Sequence, residues 1–462
     1  MSYIFKTEKP DDTGIQHTHL AKKLITMDFN PLTDFKETVY AVPPPLDISL
    51  SSAQEVIGSA FTKNPIDGVA IYIHVPFCIN LCQFCGFVKE KLSSSDEISL
   101  FVQLLRQEIQ LVSSRLQNSI AVSAIYFGGG TASLLSSADV GSILDLLSQC
   151  FTFQGDCELS FEGETQTLLK KGFLEDLRAL GFRRISFGVQ VWDEGYRHLL
   201  NLRTSRDQIQ LVANKSTKLF DEVACDYIYG LPGTDETFLI EDLQGFLSLP
   251  CNVIEAFQFE RADASPLFMK ALIKTGIIPL SFSEQANQHN IAAEMFSNKG
   301  ICRFSFSLFN YSTHTPNIEY YSSYYGWDGR SVLGFGRGSQ SFYNGVMWGN
   351  NLLPKEHELC LSKNLFPSTA IAEYSLFGKE LITWPRRGEI KYSTVSEHGD
   401  AGYHEKLFKL IDAKYIEKGT NAYFVAEHAW SLVPLMLQSL LPDTFTERFL
   451  EIFQEREQRL TT

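Results

Sequence analysis

The sequence lacks a surplus of positive charge. Its 462 residues include 40 Lys and Arg against 54 Asp and Glu, which gives a formal net charge of −14. Phosphate backbones are bound by clustered Lys and Arg, so this balance argues against a general nucleic-acid surface. Long apolar runs are missing as well, and the apolar stretch Ala429–Leu441 is too short to span a bilayer. We therefore expect neither nucleic acid nor membrane as a partner.

A secretion signal and a disulfide framework are also missing. The first residues, MSYIFKTEKPDDTG, carry acids where a signal peptide has a basic start and an apolar run. Six of the nine cysteines are scattered, and we expect each of them to be a small core hydrophobe. These six are Cys150, Cys157, Cys225, Cys251, Cys302 and Cys360. Together these features favour a protein of the reducing cytoplasm.

The chain alternates short β-rich runs with amphipathic helical stretches from Val69 onward. The predicted strands are Val69–His74, Ser123–Phe127, Glu158–Glu162, Arg184–Gly188, Glu222–Ile228 and Val253–Glu260. The predicted helices between them are Glu97–Gln117, Ser137–Cys150, Gly172–Leu180, Asp207–Leu219 and Glu236–Leu247. Such alternation predicts an α/β fold with a parallel sheet, either a partial barrel or an open sheet. In both arrangements the site lies at the carboxyl ends of the strands.

Four regions follow from this pattern. We expect an N-terminal lead-in over residues 1–65, with His17, His19 and the spacer Pro43–Pro45, and the α/β unit over residues 66–265. Residues 266–364 form an extension, expected to close the active site. Residues 365–462 form a small helical or winged-helix-like domain with one β pair near Tyr423–Val425.

A loop directly after the first predicted strand contains Cys78, Cys82 and Cys85 in the spacing C-x3-C-x2-C. Three thiols this close in a chain without a secretion signal indicate a metal centre rather than disulfides. Three cysteines can hold three corners of a [4Fe-4S] cubane and leave one iron open. The alternative is a structural zinc with His74 as the fourth ligand, and the spacing alone does not exclude it.

Polar residues and glycines end the following strands. Gly128–Thr131 follow the second strand, where glycines let a ligand approach the backbone closely. Glu162 ends the third strand, Gln190 follows the fourth and Asp226 lies in the fifth. Each of these alone is as readily explained as a structural residue. Their placement on one rim favours ligand binding.

Several ordered motifs resemble the radical S-adenosylmethionine (SAM) enzymes related to oxygen-independent coproporphyrinogen III dehydrogenase, the HemN-like family. The motifs are YIHVPFCINLCQFCGF, YFGGGT, ISFGVQ, CDYIYGLPG and GWDGRSVLGFGRGSQS. The resemblance covers about residues 66 to 350 and implies a partial (β/α)6 barrel. It also replaces the zinc interpretation with a [4Fe-4S] cluster held by Cys78, Cys82 and Cys85.

The resemblance implies further roles. The open iron would chelate the amino and carboxylate groups of SAM, and reduction of the cluster would cleave SAM to methionine and a 5′-deoxyadenosyl radical. A small reductant such as flavodoxin or ferredoxin would supply the electron. A second SAM is expected near Gly130, Thr131 and Phe259. The other positions that match the family's SAM and cluster contacts are Tyr72, Phe84, Gly129, Glu162, Gln190, Arg203 and Asp226.

Three positions depart from the family pattern: Ala132, Gly163 and Phe87. Phe87 stands where coproporphyrinogen dehydrogenases carry another Cys, which argues against porphyrinogen decarboxylation. The resemblance is closest to the class C methyltransferase and anaerobic haem-degrading branch, in which a second SAM donates a one-carbon unit to an sp2 carbon. The segment Ser341–Asn351 resembles the haem-degrading members, and Arg330 and Arg337 are candidates to bind haem propionates.

The sequence therefore leaves four functions open. We expect one-carbon transfer to an aromatic, olefinic or tetrapyrrole substrate first. Anaerobic haem ring opening is the first alternative. An oxidative decarboxylase with one SAM radical and a haem-binding chaperone are the others.

Overall fold

The protein is described by a computed structural model that covers residues 46–66, 68–261, 263–311, 316–350 and 353–442. The histidines and the proline spacer of the predicted lead-in lie outside these residues. None of the helices in the described ranges is both long and apolar enough to cross a bilayer.

The strands alternate with helices through the first two thirds of the chain, as predicted. In chain order the strands are β1 (Leu46–Asp47), β2 (Val69–Val75), β3 (Phe77–Cys78), β4 (Glu90–Lys91), β5 (Ala121–Gly129), β6 (Thr152–Gly163), β7 (Arg184–Gln190), β8 (Glu222–Tyr229), β9 (Val253–Gln258), β10 (Ile301–Arg303), β11 (Leu308–Tyr311), β12 (Ser331–Phe335), β13 (Gln340–Tyr343), β14 (Val346–Gly349), β15 (Ala370–Glu373), β16 (Glu389–Lys391), β17 (Ile416–Lys418) and β18 (Ala422–Val425).

The helices that connect and cover these strands are mostly short. They are α1 (Leu50–Ala60), α2 (Ser95–Arg115), α3 (Ser137–Cys150), α4 (Thr165–Leu168), α5 (Phe173–Ala179), α6 (Glu194–Leu199), α7 (Arg206–Leu219), α8 (Glu236–Phe246), α9 (Pro266–Lys274), α10 (Phe282–Ser297), α11 (Glu319–Tyr325), α12 (Pro354–Ser362), α13 (Gly378–Arg387), α14 (Tyr392–His398), α15 (Ala401–Asp412) and α16 (Val433–Leu440).

Six parallel strands form the centre of a 13-stranded sheet, in the order β2-β5-β6-β7-β8-β9. The predicted α/β fold with a parallel sheet is confirmed, and β5 and β6 are longer than expected. The sheet continues through β12, which is parallel to β2, and through antiparallel strands at both edges. Because all six central strands run the same way, their carboxyl ends meet at one edge of the sheet.

Side chains of the central strands alternate between two cores. Ile125 and Phe127 face the covering helices in the main apolar core, whereas Ala124 and Tyr126 face the opposite side. There Tyr126 stacks on Tyr320 of α11, with ring centroids 4.3 Å apart. This period-two pattern buries both faces of β5, so the strand reads as a nearly continuous apolar run.

Several helices begin at serine capping boxes. Ser136 accepts a hydrogen bond from the Asp139 amide at 3.1 Å while the Asp139 carboxylate accepts from the Ser136 amide. The same reciprocal pair starts α7 with Ser205 and Gln208. Each box satisfies backbone donors that the helix itself leaves unpaired. These caps explain why the predicted starts of α3 and α7 fall within a residue of the observed ones.

The predicted region boundaries shift at both ends of the chain. β1 pairs with β15, and Ala53 and Ile57 of α1 are buried in the main core, so the end of the predicted lead-in is part of the fold. β15 also pairs with β14 of the main sheet, beyond the expected boundary at residue 365.

The C-terminal module has its own core around Trp384 and Leu407. It has a three-stranded sheet, β16-β18-β17, where one β pair was expected. Its elements follow the order helix, strand, two helices, two strands from α13 to β18. The winged-helix interpretation stays a prediction.

Candidate active site

A cavity of about 380 Å³ opens at the carboxyl ends of the central strands. All the residues expected to contact the cluster or SAM line it, except Tyr72. The expected residues in its wall are Cys78, Cys82, Phe84, Cys85, Gly129, Gly130, Thr131, Glu162, Gln190, Arg203, Asp226 and Phe259. The structure therefore brings together side chains from all six central strands or the loops that follow them.

Tyr72 lies behind this wall. Its hydroxyl is 3.1 Å from Nδ1 of His74, and its ring stacks on Tyr320. Burial raises the pKa of the Tyr72 hydroxyl well above its ordinary value, and the negative charge of Glu162 adds to the shift. In this structure Tyr72 thus contacts His74 and Tyr320, and its contact with SAM or the cluster stays a prediction.

The cysteine loop, residues Cys78–Cys85, is held at its start and in its middle by backbone hydrogen bonds. The Leu92 amide donates to the Cys78 carbonyl at 2.9 Å, which closes the loop base against β4. In the middle, the Gln83 amide donates to the Leu200 carbonyl at 3.1 Å. The position of the thiols is therefore fixed by the backbone of neighbouring elements.

A pair of asparagines adds a second attachment. Asn201 donates from Nδ2 to the Asn80 side-chain oxygen at 3.1 Å and to the Leu81 carbonyl at 2.8 Å. Asn80 in turn donates to the Asn201 carbonyl. Asn201 has φ of 61°, in the left-handed region that asparagine tolerates better than most residues. This pair was not predicted from the sequence, because no local motif connects two residues so far apart in the chain.

The three thiols of the cysteine loop line one cavity. Burial raises the pKa of each thiol, and that of Cys82 reaches about 12. Within the described ranges, no group of three His, Cys, Asp or Glu side chains is arranged to hold a single metal ion. In a cubane each thiolate binds a different iron, so three thiols that line one cavity fit three of its corners.

His74 is not available as a zinc ligand. Its Nε2 is 2.9 Å from the Val88 carbonyl, and its Nδ1 is 3.1 Å from the Tyr72 hydroxyl. Both ring nitrogens are therefore engaged inside the protein. Burial lowers the pKa of His74 to about 4, so the ring is neutral at physiological pH. The zinc alternative left open by the spacing loses its fourth ligand.

Gly129 and Gly130 form a bare backbone edge beside the cysteine loop. Gly129 has φ of 117°, and a Cβ there would lie 2.6 Å from the Val75 amide nitrogen. A Cβ on Gly130 would lie 2.7 Å from the Phe77 carbonyl oxygen and 3.0 Å from the Cys78 sulfur. Side chains are excluded at both positions, which leaves this edge open to a polar ligand.

Replacing Gly130 by alanine is expected to displace the Cys78 sulfur or the Phe77 backbone, because the added methyl cannot fit between them. We expect SAM cleavage to fall at least about tenfold, in line with the cost of about 1–3 kcal/mol for overpacking a tight site. The measurement is 5′-deoxyadenosine formed per cluster. Gly155→Ala is the matched control, since nothing lies within 4 Å of a Cβ at that position of β6. Wild-type cleavage by Gly130→Ala would refute the steric argument.

Carboxylates dominate the polar side of the cavity. Glu162 accepts a hydrogen bond from the Tyr126 hydroxyl at 3.1 Å, and burial raises the pKa of Glu162 to about 7. Burial, with the nearby charges of Glu255 and Glu162, also raises the pKa of Asp226 well above its usual range. A ligand with positive charge, such as a sulfonium or an ammonium group, would oppose these shifts and stabilise the ionised form of both acids.

Gln190 lines the cavity from a position where its backbone has an unusual conformation. Its φ is 70°, at an irregularity in the pairing of β7 with β8. A Cβ on Gly188 would lie 2.3 Å from Nε2 of the Gln190 side chain, so only a glycine at position 188 leaves room for this side chain. In the motif ISFGVQ, Gly188 therefore leaves the space that the Gln190 side chain occupies.

Arg184 lies beneath the carboxylates and was not predicted from the sequence. It is fully buried, and its Nε donates to Glu222 at 2.6 Å. Its Nη2 donates to Glu255 and, at 3.1 Å, to the Tyr321 hydroxyl. This guanidinium lowers the pKa of both Glu162 and Asp226 relative to what burial alone would produce.

Arg197 is a second arginine that sequence reasoning missed. It is buried beside the cavity, and its Nη1 donates to the carbonyls of Val189 and Val191 at 2.8 Å each. Its Nε and Nη2 donate to the Thr204 carbonyl at 3.2 and 2.7 Å. Arg197 thus ties β7 to the turn that carries Arg203, whose side chain is exposed at the cavity.

Two expected anion-binding residues are engaged elsewhere. Arg330 forms an ion pair with Glu319, and Arg337 forms one with Glu90. Neither lines the cavity. Because each guanidinium already has a carboxylate partner, the structure does not support them as propionate ligands.

The scattered cysteines are not all isolated core residues. Cys225 of β8 and Cys251 are buried but joined by a disulfide. Cys302 is exposed at the edge strand β10. Cys360 is buried as expected, and Cys150 and Cys157 are half-buried. The pairing escaped prediction because it depends on β8 and β9 being neighbours in the sheet.

The chain is similar to several known proteins. Residues 72–243 match the model of the Radical SAM superfamily. Oxygen-independent coproporphyrinogen III oxidase of Escherichia coli (strain K12) is 31% identical over 198 residues, which cover 42% of this chain and 43% of that protein. Anaerobilin synthase of Escherichia coli O157:H7 is 28% identical over 283 residues, 61% of this chain and 62% of that protein. The match thus spans less than two thirds of each of these relatives.

A solved structure extends the comparison to the fold. Coproporphyrinogen III oxidase (HemN) from Escherichia coli, a radical SAM enzyme, superimposes with a TM-score of 0.71 at 19% identity. The superposition covers 89% of this chain and 98% of that one, which shows a shared fold. With the domain match and the curated relatives, it confirms the predicted resemblance to HemN-like radical SAM enzymes, which implies a [4Fe-4S] cluster and SAM as cofactors.

Proposed function

We propose that this enzyme transfers a one-carbon unit from SAM to an sp2 carbon of a flat aromatic or tetrapyrrole substrate. Cys78, Cys82 and Cys85 would hold the cluster. When bound, the cluster supplies the electron that breaks a carbon–sulfur bond of SAM and starts the radical chemistry. The observation that carries the proposal is a cavity lined both by polar side chains from several strands and by four phenylalanines.

The polar residues of the cavity support the binding of SAM. The bare backbone at Gly129 and Gly130 gives its amino-acid end room to approach, and the carboxylates of Glu162 and Asp226 complement its positive charge. Gln190 and Arg203 add side-chain donors at the same rim. These groups bind and orient SAM, and Arg197 holds the turn that presents Arg203.

A second SAM is proposed beside the first, near Gly130, Thr131 and Phe259. All three line the same cavity. The Thr131 hydroxyl hydrogen-bonds to the Cys78 thiol, so this residue also touches the cysteine loop. Gly130, Thr131 and Phe259 would hold this second SAM, which would supply the one-carbon unit.

The phenylalanines of the cavity support a flat substrate. Phe84, Phe87, Phe257 and Phe259 all line the cavity. Phe259 is buried, whereas Phe87 is 58% exposed. An exposed phenylalanine that lines a cavity offers apolar ring surface on which a planar substrate can stack. Phe87 also takes the place of the cysteine expected in porphyrinogen dehydrogenases, which favours one-carbon transfer over decarboxylation.

Anaerobic haem ring opening is the second candidate. It is favoured by the similarity to anaerobilin synthase, which extends over more of this chain than the similarity to the oxidase. The ring-opening reaction would use the same polar residues to bind SAM and the same phenylalanines to bind haem. Haem is therefore the first substrate to test, and a small reductant such as flavodoxin or ferredoxin is the proposed electron source.

The test uses the full chain, reconstituted anaerobically with iron and sulfide and supplied with dithionite, haem and SAM labelled with ¹³C in its methyl group. One-carbon transfer predicts 5′-deoxyadenosine and S-adenosylhomocysteine together, with the label in a haem-derived product. A ring-opened labelled product would identify the haem-degrading reaction. Label transfer with an intact ring would identify methylation.

Other outcomes would overturn the proposal. Deoxyadenosine without S-adenosylhomocysteine, accompanied by CO2 or a desaturated product from coproporphyrinogen III, would show an oxidative decarboxylase. Tight haem binding without any cleavage of SAM by the reduced protein would show a carrier.

A further inference from the structure

Lys89 lies four residues after Cys85 and turns back toward the cysteine loop. Its side chain lines the cavity, and its ammonium donates to the Cys85 carbonyl oxygen. It also hydrogen-bonds to the Cys85 thiol. Lysine side chains usually keep their ammonium group in water. The ammonium of Lys89 instead contacts the cysteine loop inside the cavity, and this position suggests a function.

The charge of Lys89 lies near all three thiols, because Lys89 and the three cysteines line the same cavity. The hydrogen bond to the Cys85 carbonyl oxygen holds the ammonium against the cysteine loop itself. The acids Glu162, Glu164 and Asp263 also line this cavity. Lys89 therefore places a positive charge beside three thiols in a cavity that is rich in acids.

Such a position bears on electron uptake. A cluster with three thiolate ligands becomes more negative when it gains an electron, and this is unfavourable in a partly buried site. A fixed cation nearby stabilises the reduced state more than the oxidised state. Net charge and hydrogen bonds to the sulfurs are the established means by which proteins set iron–sulfur potentials.

We propose that Lys89 raises the reduction potential of the cluster through its positive charge and so makes the cluster easier to reduce. Lys89 is a positioning residue in this respect, since it acts through the cluster. The inference rests on the proposed assignment of the three cysteines as cluster ligands.

The experiment compares reconstituted Lys89→Met, Lys89→Gln and Lys89→Arg with wild type in an anaerobic redox titration with dithionite. The reduced cluster is counted by its electron paramagnetic resonance signal. At the wild-type midpoint, the ratio of reduced to oxidised cluster should fall about tenfold in the Met and Gln variants, equal to about 59 mV for one electron. The Arg variant should stay near wild type.

Lys91→Met is the matched control, because Lys91 is exposed and does not line the cavity. A Met variant with the wild-type potential would overturn the inference. So would a Gln variant like wild type beside a shifted Met variant, since the hydrogen bond rather than the charge would then matter. If both neutral variants fail to hold iron while Lys89→Arg holds it, Lys89 serves cluster assembly and the tuning role is refuted. A wild-type chain without a [4Fe-4S] cluster would instead refute the proposed function.

Discussion

Replacing Cys82 by alanine is expected to abolish the cluster and, with it, the cleavage of SAM. Changes in residues that merely support a metal ligand cost about 10- to 100-fold, so loss of a ligand itself should cost more than about 100-fold. Of the three thiols, Cys82 has the least support from the surrounding protein for its thiolate form. The Cys78 thiol accepts a hydrogen bond from Thr131 and the Cys85 thiol from the Phe87 amide, whereas burial raises the pKa of Cys82 to about 12.

The measurement is iron and sulfide per chain after anaerobic reconstitution, followed by 5′-deoxyadenosine formation under dithionite. Cys302→Ala is the matched control, since that thiol is exposed on β10. The control should keep the wild-type iron content and activity. A Cys82→Ala chain with full cluster content would show that another group holds that corner, and the cysteine assignment would then be wrong.

The meeting of the three cysteines with the glycine edge could be predicted from the sequence because each of these motifs is local. Cys78, Cys82 and Cys85 lie within one loop, and Gly129 and Gly130 follow one strand directly. The parallel sheet then requires that these segments meet, since β2 and β5 are neighbours with their carboxyl ends together. A local motif together with a topology rule was enough to assemble most of the cavity wall.

The supporting residues could not be predicted because they depend on distant pairings. Arg183 and Arg184 are adjacent and chemically identical, yet Arg183 is 73% exposed at its side chain and Arg184 is fully buried. Which of the two side chains is buried depends on the face of the sheet to which it points. That face is known only once the register of β7 against β8 is known. The asparagine pair that fixes the cysteine loop joins residues 121 positions apart. No spacing rule relates them.

Loss of Arg184 should have the largest effect on stability. Arg184→Met leaves Glu222 and Glu255 buried without their cation, and removing one partner of a buried pair typically costs about 3–5 kcal/mol. Methionine keeps the approximate length of the side chain, so the loss is chiefly one of charge and hydrogen bonds. Arg183→Met is the matched control. Its ion pair with Asp221 is exposed at 3.9 Å, and exposed pairs contribute about 1 kcal/mol or less.

The deficit should depend on pH in a definite direction. Burial already raises the pKa of Glu158 and Glu162 from 4.5 to about 7, and the charge of Arg184 opposes that rise. Without Arg184 the pKa values rise further. A carboxyl with a raised pKa in the folded state takes up a proton on folding, so its contribution to stability is present below about pH 4.5 and is lost as the pH rises through the folded-state value.

Urea unfolding of Arg184→Met should therefore show a larger deficit from wild type at pH 8 than at pH 5. At pH 5 the carboxyls around the missing cation can be neutral in the folded state, and a neutral acid costs less to bury than a charged one. Arg183→Met should show the same small difference at both values. A deficit of equal size at pH 5 and pH 8 would mean that Arg184 stabilises the chain by packing, and that the acids beneath the cavity do not depend on its charge.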